Sequence, residues 1–168
     1  KRSILKRVFN IKSNQVSLNK ITKNIQYGYT ASATNKETGI KFLRITDISS
    51  GQVDWQNVPN CEIKIDDIDK YKLCDGDIVF ARTGATTGCS YYIANSPTAV
   101  FASYLIRLQS RDDLVLSKFL YYFFQSINYW NQISAGIVGS AQGGFNATKL
   151  SALKLSLPKT LSDQKMFV

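Results

Sequence analysis

The sequence predicts one α+β domain with a twisted mixed or antiparallel sheet and flanking helices. Its 168 residues, 44% of them hydrophobic, are enough to bury one core. Short β-branched and aromatic runs bounded by turn residues predict several strands, and one stretch with apolar residues three and four apart predicts an amphipathic helix. No internal repeat or low-complexity linker divides the chain.

The first half of the chain predicts a helix, two strands and a helical turn. Apolar residues near helical spacing predict a helix over 16–26, which a polar loop follows. Imperfect alternation predicts a strand over 40–48, and 61–65 is a second, shorter strand. Residues 66–73 predict a helical turn with acidic residues at its start, where the helix dipole favours them.

Three strands are predicted next. Residues 77–82 and 89–94 flank a turn rich in glycine and threonine, and residues 99–109 form the third strand. Because the turn places a charged arginine between two segments typical of buried strands, it is a candidate functional feature.

The clearest helix follows. Asp112 or Asp113 is a candidate cap for this segment. Apolar and aromatic residues recur at spacings of three and four over 116–130, and the helix is expected to end near Gly136. The aromatic stripe is interpreted as core and not as a cofactor site.

The last part predicts a polar, glycine-rich loop and three short elements. Asn146 or Thr148 is a candidate cap for a short helix. Residues 153–158 read as a strand that Pro158 ends, and Ser162 is the candidate N-cap of a helix that begins near the end of the sequence.

Positive charge is concentrated in the first quarter of the chain. The formal net charge is +9; residues 1–45 hold ten Lys or Arg against Glu37 alone, and residues 46–168 hold eleven residues of each sign. Because Lys and Arg neutralise phosphates and release counterions, a basic face points first to nucleic acid. A solvated basic tail over 1–12 is the alternative.

The composition argues against several functional classes. The absence of histidine removes Ser-His-Asp and Cys-His catalysis and most zinc or non-haem iron sites. The three cysteines are far apart and include no CxxC pair, so neither a disulfide framework nor a zinc site is indicated. P-loop and GxGxxG motifs are absent. No apolar run approaches the ~18 residues of a membrane span and no signal peptide is recognised, so a cytoplasmic location is expected.

Three polar loops carry residue types suited to DNA. Base readout is assigned to the loops 27–36 and 140–146, which offer tyrosine, hydroxyl and amide groups, and the turn after residue 81 offers an arginine for guanine or phosphate. Phosphate contacts are assigned to Lys20, Lys23, Lys36, Lys41, Arg44, Arg82 and Lys149. The candidate DNA contacts are Lys20, Lys23, Tyr27, Tyr29, Thr30, Lys36, Lys41, Arg44, Arg82, Thr83, Gln142, Asn146 and Lys149. Each has an alternative role in packing, ion pairing or capping.

Four segments resemble the target recognition domain of a type I restriction-modification specificity subunit. They are "GIKFLRITDISSGQVDW", "LCDGDIVFARTGATTGCSYYI", "GGFNATKLSALKLSLP" and "LPKTLSDQK". The second matches a family hallmark, L-x-x-G-D, three apolar residues, then x-R-x-G-x-x-x-G. The last resembles the closing motif and the Gln-containing start of a spacer helix, although Lys159 replaces a frequent proline and Asp163 a frequent Glu. The resemblance covers residues 16–168.

The resemblance implies a division of labour between subunits. Residues 16–158 are expected to read one half of a bipartite double-stranded DNA target, without catalysis or a cofactor of their own. Residues 1–15 are expected to be a basic N-terminal segment, and residues 159–168 the start of the spacer helix. Methyltransferase (modification) subunits would bind S-adenosylmethionine, and a restriction/translocase subunit would use ATP and Mg²⁺. No membrane partner is implied.

Other functions stay open at this point. Within the family, the alternative is the recognition domain of a fused restriction-methylation enzyme. A metal-dependent nuclease using Asp54, Glu62 and Lys64 is a different class, because carboxylates followed by a lysine can hold a divalent metal and polarise a phosphodiester. Alternation places Glu62 and Lys64 on one exposed strand face, so a solvated face is the preferred interpretation. A protein-interaction module would show no salt-dependent DNA affinity.

Two substitutions distinguish phosphate contacts from base contacts. We expect Lys41→Ala to weaken DNA binding uniformly across sequences. It should also lower the slope of log K against log salt concentration by about one. Gln142→Ala should relax preference at one base position instead. Affinity measured over a panel of duplexes at several salt concentrations checks both, and an unchanged set of base preferences in Gln142→Ala would rule out its assigned role.

Overall fold

The computed structural model describes residues 15–138 and 145–168, and it confirms the predicted α+β class. Within these residues the chain forms ten short strands and seven helices. The strands are Gln15–Ser17 (β1), Thr22–Tyr27 (β2), Ala33–Thr34 (β3), Lys41–Leu43 (β4), Asn60–Cys61 (β5), Ile78–Ala81 (β6), Ser90–Tyr92 (β7), Ala99–Phe101 (β8), Leu105–Ser110 (β9) and Lys154–Ser156 (β10). The helices are Leu18–Ile21 (α1), Ile45–Ile48 (α2), Ile65–Tyr71 (α3), Ser117–Phe124 (α4), Ile127–Val138 (α5), Ala147–Ala152 (α6) and Leu161–Lys165 (α7).

A central antiparallel sheet with the strand order β2-β9-β6-β7 is covered on both faces. Its strands alternate, so that Ile78 and Phe80 pack against the helices while Val79 and Ala81 pack against a second sheet. All four of these side chains are fully buried. The domain therefore has three layers: helices, central sheet and second sheet.

The aromatic stripe of the sequence forms the helical layer, and its assignment to the core is confirmed. Phe80 meets Phe124 edge to face at 4.7 Å between ring centroids, and Phe119 and Phe123 are fully buried. The single predicted helix over 116–130 is wrong, because the chain breaks into α4 and α5. Ser126 causes the break: its hydroxyl accepts from the N–H of Tyr129 and so starts a new helix.

The second sheet is mixed and has the order β3-β5-β4-β8, with β4 and β8 parallel and the other pairs antiparallel. The predicted strand over 99–109 is in fact two strands in different sheets. The chain leaves the second sheet after Phe101 and enters the central sheet at Leu105. Alternation could not reveal this change, because both strands are buried on both faces.

Two predicted elements change identity where tertiary pairing overrides local spacing. The predicted helix over 16–26 is helical only in α1, because β1 pairs with β10 and β2 pairs with β9 on either side of it. The predicted strand over 40–48 ends at Leu43, and α2 follows it. The helical turn after residue 64, the strands around the Gly turn, the strand before Pro158 and the Asn146 cap are confirmed.

The two remaining cap assignments are wrong. Thr160, not Ser162, caps α7: its hydroxyl accepts from the N–H of Asp163, and the Asp163 carboxylate accepts from the N–H of Thr160. Neither Asp112 nor Asp113 caps α4, whose N-cap residue is Leu116. The side chain of Asp112 accepts from Ser110 and Lys23 instead.

A buried glutamine fixes the C-terminal helix to the domain. Gln164 lies on α7 with 1% of its surface exposed. Its side-chain oxygen accepts from the N–H of Leu116 at 2.8 Å, and its amide donates to the carbonyl of Leu114 at 3.0 Å. Because both amide groups are satisfied by the segment before α4, the direction in which α7 leaves the domain is defined. No helix in the described ranges is long and apolar enough to cross a membrane.

A buried ion pair joins the central sheet to the segment before β6. The guanidinium of Arg107 on β9 donates to the carbonyls of Lys72 at 2.6 Å and Lys70 at 3.1 Å, and lies 3.5 Å from the carboxylate of Asp77. That carboxylate also accepts from the N–H of Cys74 and the side chain of Gln109. Both charged side chains are only 5% exposed.

Burial disfavours both charges of this pair. Desolvation raises the pKa of Asp77, despite the hydrogen bonds from Cys74 and Gln109, and it lowers the pKa of Arg107 despite the neighbouring carboxylate. The pair is therefore a device for fixing geometry more than a source of net stability. Removing one partner is still costly, because the other charge stays buried without compensation.

Arg107→Met is expected to lower the free energy of unfolding by about 3 kcal/mol, because it strands the Asp77 carboxylate and removes the donor to two carbonyls. Arg111→Met is the matched control. Arg111 pairs with Asp113 at the surface, where its side chain is 46% exposed, and such pairs contribute at most about 1 kcal/mol. Urea unfolding of both variants checks this, and equal losses would contradict the role given to Arg107.

Candidate nucleic-acid interface

One end of the layered core gathers the ends of several strands, two of which precede loops that the sequence assigned to DNA. Strand β2 ends at Tyr27, and β6 ends where Ala81 pairs with Leu105, the first residue of β9. In the second sheet, Leu43 of β4 pairs with Phe101, the last residue of β8. The residues that follow these ends therefore lie at one edge of the domain, which we call the Arg82 end.

Arg82 is held at this end by a ring and a carbonyl. Its guanidinium carbon lies 4.6 Å from the centroid of the Tyr27 ring, and its Nη1 donates to the carbonyl of Ser103 at 3.4 Å. Its Nε is buried and makes no hydrogen bond. The side chain is half-buried, so the charge is presented in a restrained position.

The turn after Arg82 has a fixed base and an exposed tip. Gly88 has a φ of +86°, and a Cβ there would lie 3.3 Å from Trp130 and Ile133 of α5. The hydroxyl of Tyr129 donates to the carbonyl of Gly88 at 2.6 Å, and burial raises the pKa of Tyr129. At the tip, residues 83–85 are exposed; Gly84 has a φ of +78°, and a Cβ there would meet no atom within 4 Å. Gly88 is therefore restricted by its positive φ and by its neighbours, whereas neighbours do not restrict Gly84.

The start of α6 also lies at the Arg82 end. The hydroxyl of Tyr27 accepts from the N–H of Ala147 at 3.1 Å, while Asn146 caps α6 by accepting from the N–H of Lys149. The Asn146 side-chain oxygen is thereby occupied, and its contact with adenine stays a prediction. Gln142 lies outside the described residues.

Arg44 reaches the same end but carries its own counter-charge. It follows Leu43, whose carbonyl accepts from the N–H of Ala102 in the turn between the two sheets. The Arg44 guanidinium donates twice to Asp47, at 3.1 and 2.8 Å. This hydrogen bonding raises the pKa of Arg44. A phosphate contact by Arg44 would have to compete with Asp47.

Two of the predicted lysines lie away from Arg82, and two others are engaged within the protein. Lys23 lies at the opposite end of β2, where it pairs with Asp112 at 2.6 Å, and Lys20 is exposed on α1 just before it. Lys36 pairs with Glu62 at 3.0 Å. The amine of Lys41 donates to the carbonyls of residues 56 and 58, at 3.3 and 2.8 Å. Substituting Lys41 would therefore also loosen a loop, so a loss of affinity in Lys41→Ala would not by itself indicate a phosphate contact.

The remaining assigned residues divide between packing and exposure. The Tyr29 ring packs on Tyr71 at 5.2 Å, and its backbone bridges to Ala102. Thr30 and Thr83 are exposed, and Lys149 is half-buried on α6. Their contacts with DNA stay predictions.

Sequence reasoning missed Tyr104. This side chain is 63% exposed in the turn between β8 and β9, and its carbonyl accepts from the N–H of Arg82 at 3.2 Å. The available signal was the Ser103-Tyr104 interruption of an apolar run, which was interpreted as part of one strand. An exposed aromatic ring beside Arg82 adds a stacking surface to this end.

The residues of the nuclease hypothesis do not form a metal site. Asp54 accepts from the N–H of Gln56 and the amide of Asn57, whereas Glu62 is paired with Lys36. Across residues 15–138 and 145–168, no group of three or more His, Cys, Asp or Glu side chains could hold a metal ion.

Burial makes two of the three cysteines less reactive. All three are free thiols, and burial raises the pKa of Cys61 to about 11, which disfavours the reactive thiolate. Cys89 has its pKa raised by burial as well.

A family model described as "Type I restriction modification DNA specificity domain" matches residues 3–168. The chain belongs to this family. The specificity domain is 28% identical, over 155 residues, to the putative type I restriction enzyme MjaX specificity subunit of Methanocaldococcus jannaschii, with 88% of this chain and 36% of that protein covered. The resemblance found in the sequence is thereby confirmed.

Solved structures share the fold at low sequence identity. The HsdS subunit from Thermoanaerobacter tengcongensis superposes with a TM-score of 0.68 at 18% identity, covering 98% of the specificity domain and 39% of that chain. A chain from a study of complex assembly and conformational transition of the type I R-M system gives a TM-score of 0.72 at 15% identity, with 99% and 40% covered. The type I restriction-modification S subunit from M. genitalium gives 0.64 at 12%, with 97% and 39% covered. The specificity domain thus spans less than half the length of these proteins.

Gly28 makes the Arg82 end possible, and Gly28→Ala tests this. A Cβ at Gly28 would lie 2.2 Å from the carbonyl oxygen of Phe101 and 2.3 Å from that of Ala102. Because the clash is with backbone, we expect Gly28→Ala to lower the free energy of unfolding by about 2–3 kcal/mol.

Gly39→Ala is the control for this substitution. Gly39 has a φ of +76° and open space around it, so alanine there should cost only the left-handed conformation, about 1 kcal/mol. Chemical denaturation of the two variants gives the comparison. A smaller loss in Gly28→Ala than in Gly39→Ala would show that the close approach is unimportant.

Proposed function

We propose that the specificity domain reads the base sequence of one half of a bipartite double-stranded DNA target for a type I restriction-modification complex. The observation that carries the proposal is the convergence of Tyr27, Arg82 and the start of α6 at one end of the domain. These residues come from three loops that the sequence assigned to DNA on other grounds. Membership of the DNA specificity family supports the same function.

The Arg82 end has the chemistry that base readout needs. A restrained arginine can donate two hydrogen bonds to guanine in the major groove, or to a phosphate. The exposed tip, residues 83–85, adds hydroxyl and backbone groups with little side-chain bulk, and Tyr104 adds an exposed ring. Since the turn is fixed to α5 through Gly88 and Tyr129, little ordering entropy would be lost on binding.

The partners follow from the family, and we propose them for this chain. Methyltransferase subunits would supply S-adenosylmethionine and modify adenine, and a restriction/translocase subunit would supply ATP-driven movement and Mg²⁺-dependent cutting. The domain itself would contribute recognition without catalysis. The alternative is that the domain belongs to a fused restriction-methylation enzyme. Such an enzyme would differ only in the segments that flank the domain, and the Arg82 end would be unchanged. The cytoplasm remains the expected location.

The first test is a selection on randomised duplex DNA with the purified chain at low salt, with and without Mg²⁺. Enrichment of one short motif without cleavage would support base readout by this chain. Retention of DNA without enrichment would contradict it and leave only electrostatic binding. Mg²⁺-dependent cleavage that is lost in Glu62→Ala would establish the nuclease hypothesis instead.

Arg82→Ala should weaken binding to the selected sequence about tenfold or more, because one arginine contact to a base or phosphate is lost. The slope of log K against log salt should fall by about one only if the contact is to phosphate. Arg111→Ala removes the same charge from an exposed pair with Asp113 at 3.1 Å, and it should leave affinity unchanged. Equal effects of the two substitutions would contradict the assignment of the Arg82 end, provided that both variants keep the unfolding midpoint of the wild type.

A further inference from the structure

Tyr27 contacts both of the other segments that meet at the Arg82 end. It is the last residue of β2, with 39% of its surface exposed. The guanidinium of Arg82 lies over its ring, and its hydroxyl is bound to the backbone of Ala147. Because ring and hydroxyl are both engaged within the protein, a role limited to stacking on DNA does not account for this geometry.

The hydroxyl of Tyr27 fixes the first residue of α6. The first N–H groups of a helix have no partner within the helix. In α6 the side chain of Asn146 satisfies the N–H of Lys149, a local cap, and Tyr27 satisfies the N–H of Ala147 from 120 residues away in the sequence. This bond therefore fixes the start of α6 relative to the end of β2.

The ring of Tyr27 limits the positions that Arg82 can take. The hydrogen bond from Arg82 to the Ser103 carbonyl is long, at 3.4 Å, and the buried Nε makes none. A face-on ring at 4.6 Å is therefore the principal contact that sets the position of the guanidinium. Loss of the ring would free the side chain, whereas loss of the hydroxyl alone would leave the cation–π contact in place.

We propose that Tyr27 is a positioning residue for recognition: it holds Arg82 and the start of α6 in one fixed arrangement, so that the turn over 82–88 and the start of α6 present their DNA-contacting groups together. This inference rests on the proposed DNA recognition. It also replaces the stacking or sugar contact first assigned to Tyr27. The turn and the start of α6 are then energetically coupled through one side chain.

The test compares Tyr27→Phe and Tyr27→Leu with Tyr122→Phe in the selection on randomised duplexes. Tyr122 is a half-buried tyrosine on α4, and Tyr122→Phe controls for loss of a hydroxyl. We expect Tyr27→Phe to bind the selected motif about fivefold more weakly, the effect of one hydrogen bond, and to lose preference at some base positions while keeping others. Tyr27→Leu should bind about tenfold more weakly and should also lose preference at the base position that depends on Arg82.

A double-mutant cycle distinguishes positioning from an independent contact. If Tyr27 acts through Arg82, then adding Arg82→Ala to Tyr27→Leu should weaken binding less than the product of the two single effects. Fully multiplicative effects on affinity would overturn the positioning role. A base-preference profile of Tyr27→Phe identical to that of the wild type would overturn the coupling to the start of α6.

A second measurement needs no DNA and separates this inference from the proposed function. Amide hydrogen exchange at Ala147 should be about fivefold faster in Tyr27→Phe than in the wild type, because the acceptor is gone, and unchanged in Tyr122→Phe. If the wild type selects no motif, the proposed function fails for this chain, and the exchange rate still decides whether Tyr27 positions α6. Equal exchange rates in Tyr27→Phe and the wild type would refute the positioning of α6.

Discussion

The buried pair of Arg107 and Asp77 is the constraint on which the rest of the domain depends. Arg107 on the central sheet donates to two carbonyls at the end of α3, and Asp77 accepts from the N–H of Cys74 in the turn before β6. The pair therefore ties the segment before β6 to the central sheet. Burial disfavours both charges, so the pair is best understood as a device that allows one packing arrangement. Asp77 lies within the hallmark segment, which runs from Leu73 to Gly88. The pair therefore fixes one end of strand β6, and Arg82 follows the other end.

The Arg82 end exists because the chain changes sheets there. Between Phe101 and Leu105 it passes from the second sheet to the central one, and Gly28 lets β2 approach the carbonyls of that crossing. Ser103 and Tyr104 in the crossing then provide carbonyls for the side chain and backbone of Arg82. The Arg82 end is thus a consequence of how two sheets are joined, and the turn after Arg82 has a rigid base and an exposed tip.

The distribution of charge in space differs from its distribution in the sequence. The first quarter holds all of the excess positive charge, yet Lys23, Lys36 and Arg44 are paired with acidic side chains of later segments. Surface pairs of this kind are weak and screened by salt, so these residues can still exchange partners with a phosphate. Strand ends, and not the basic first quarter as a whole, therefore define the Arg82 end, and Lys20 and Lys23 lie away from it.

By itself the sequence determined the α+β class, the family, the aromatic core of the helical layer, the strands around the Gly turn and the Asn146 cap, because each depends on local spacing or on a motif of adjacent residues. It also supplied Tyr27, Arg82 and Asn146 as candidates from three separate loops. Only the tertiary structure decided that these residues meet, that residues 99–109 serve two sheets, and that Ser126 and Gln164 define helix positions. It alone revealed Arg107 and Tyr104 as important. Arg107 and Gln164 contact partners 30 to 50 residues away along the chain, and local periodicity carries no information about such contacts.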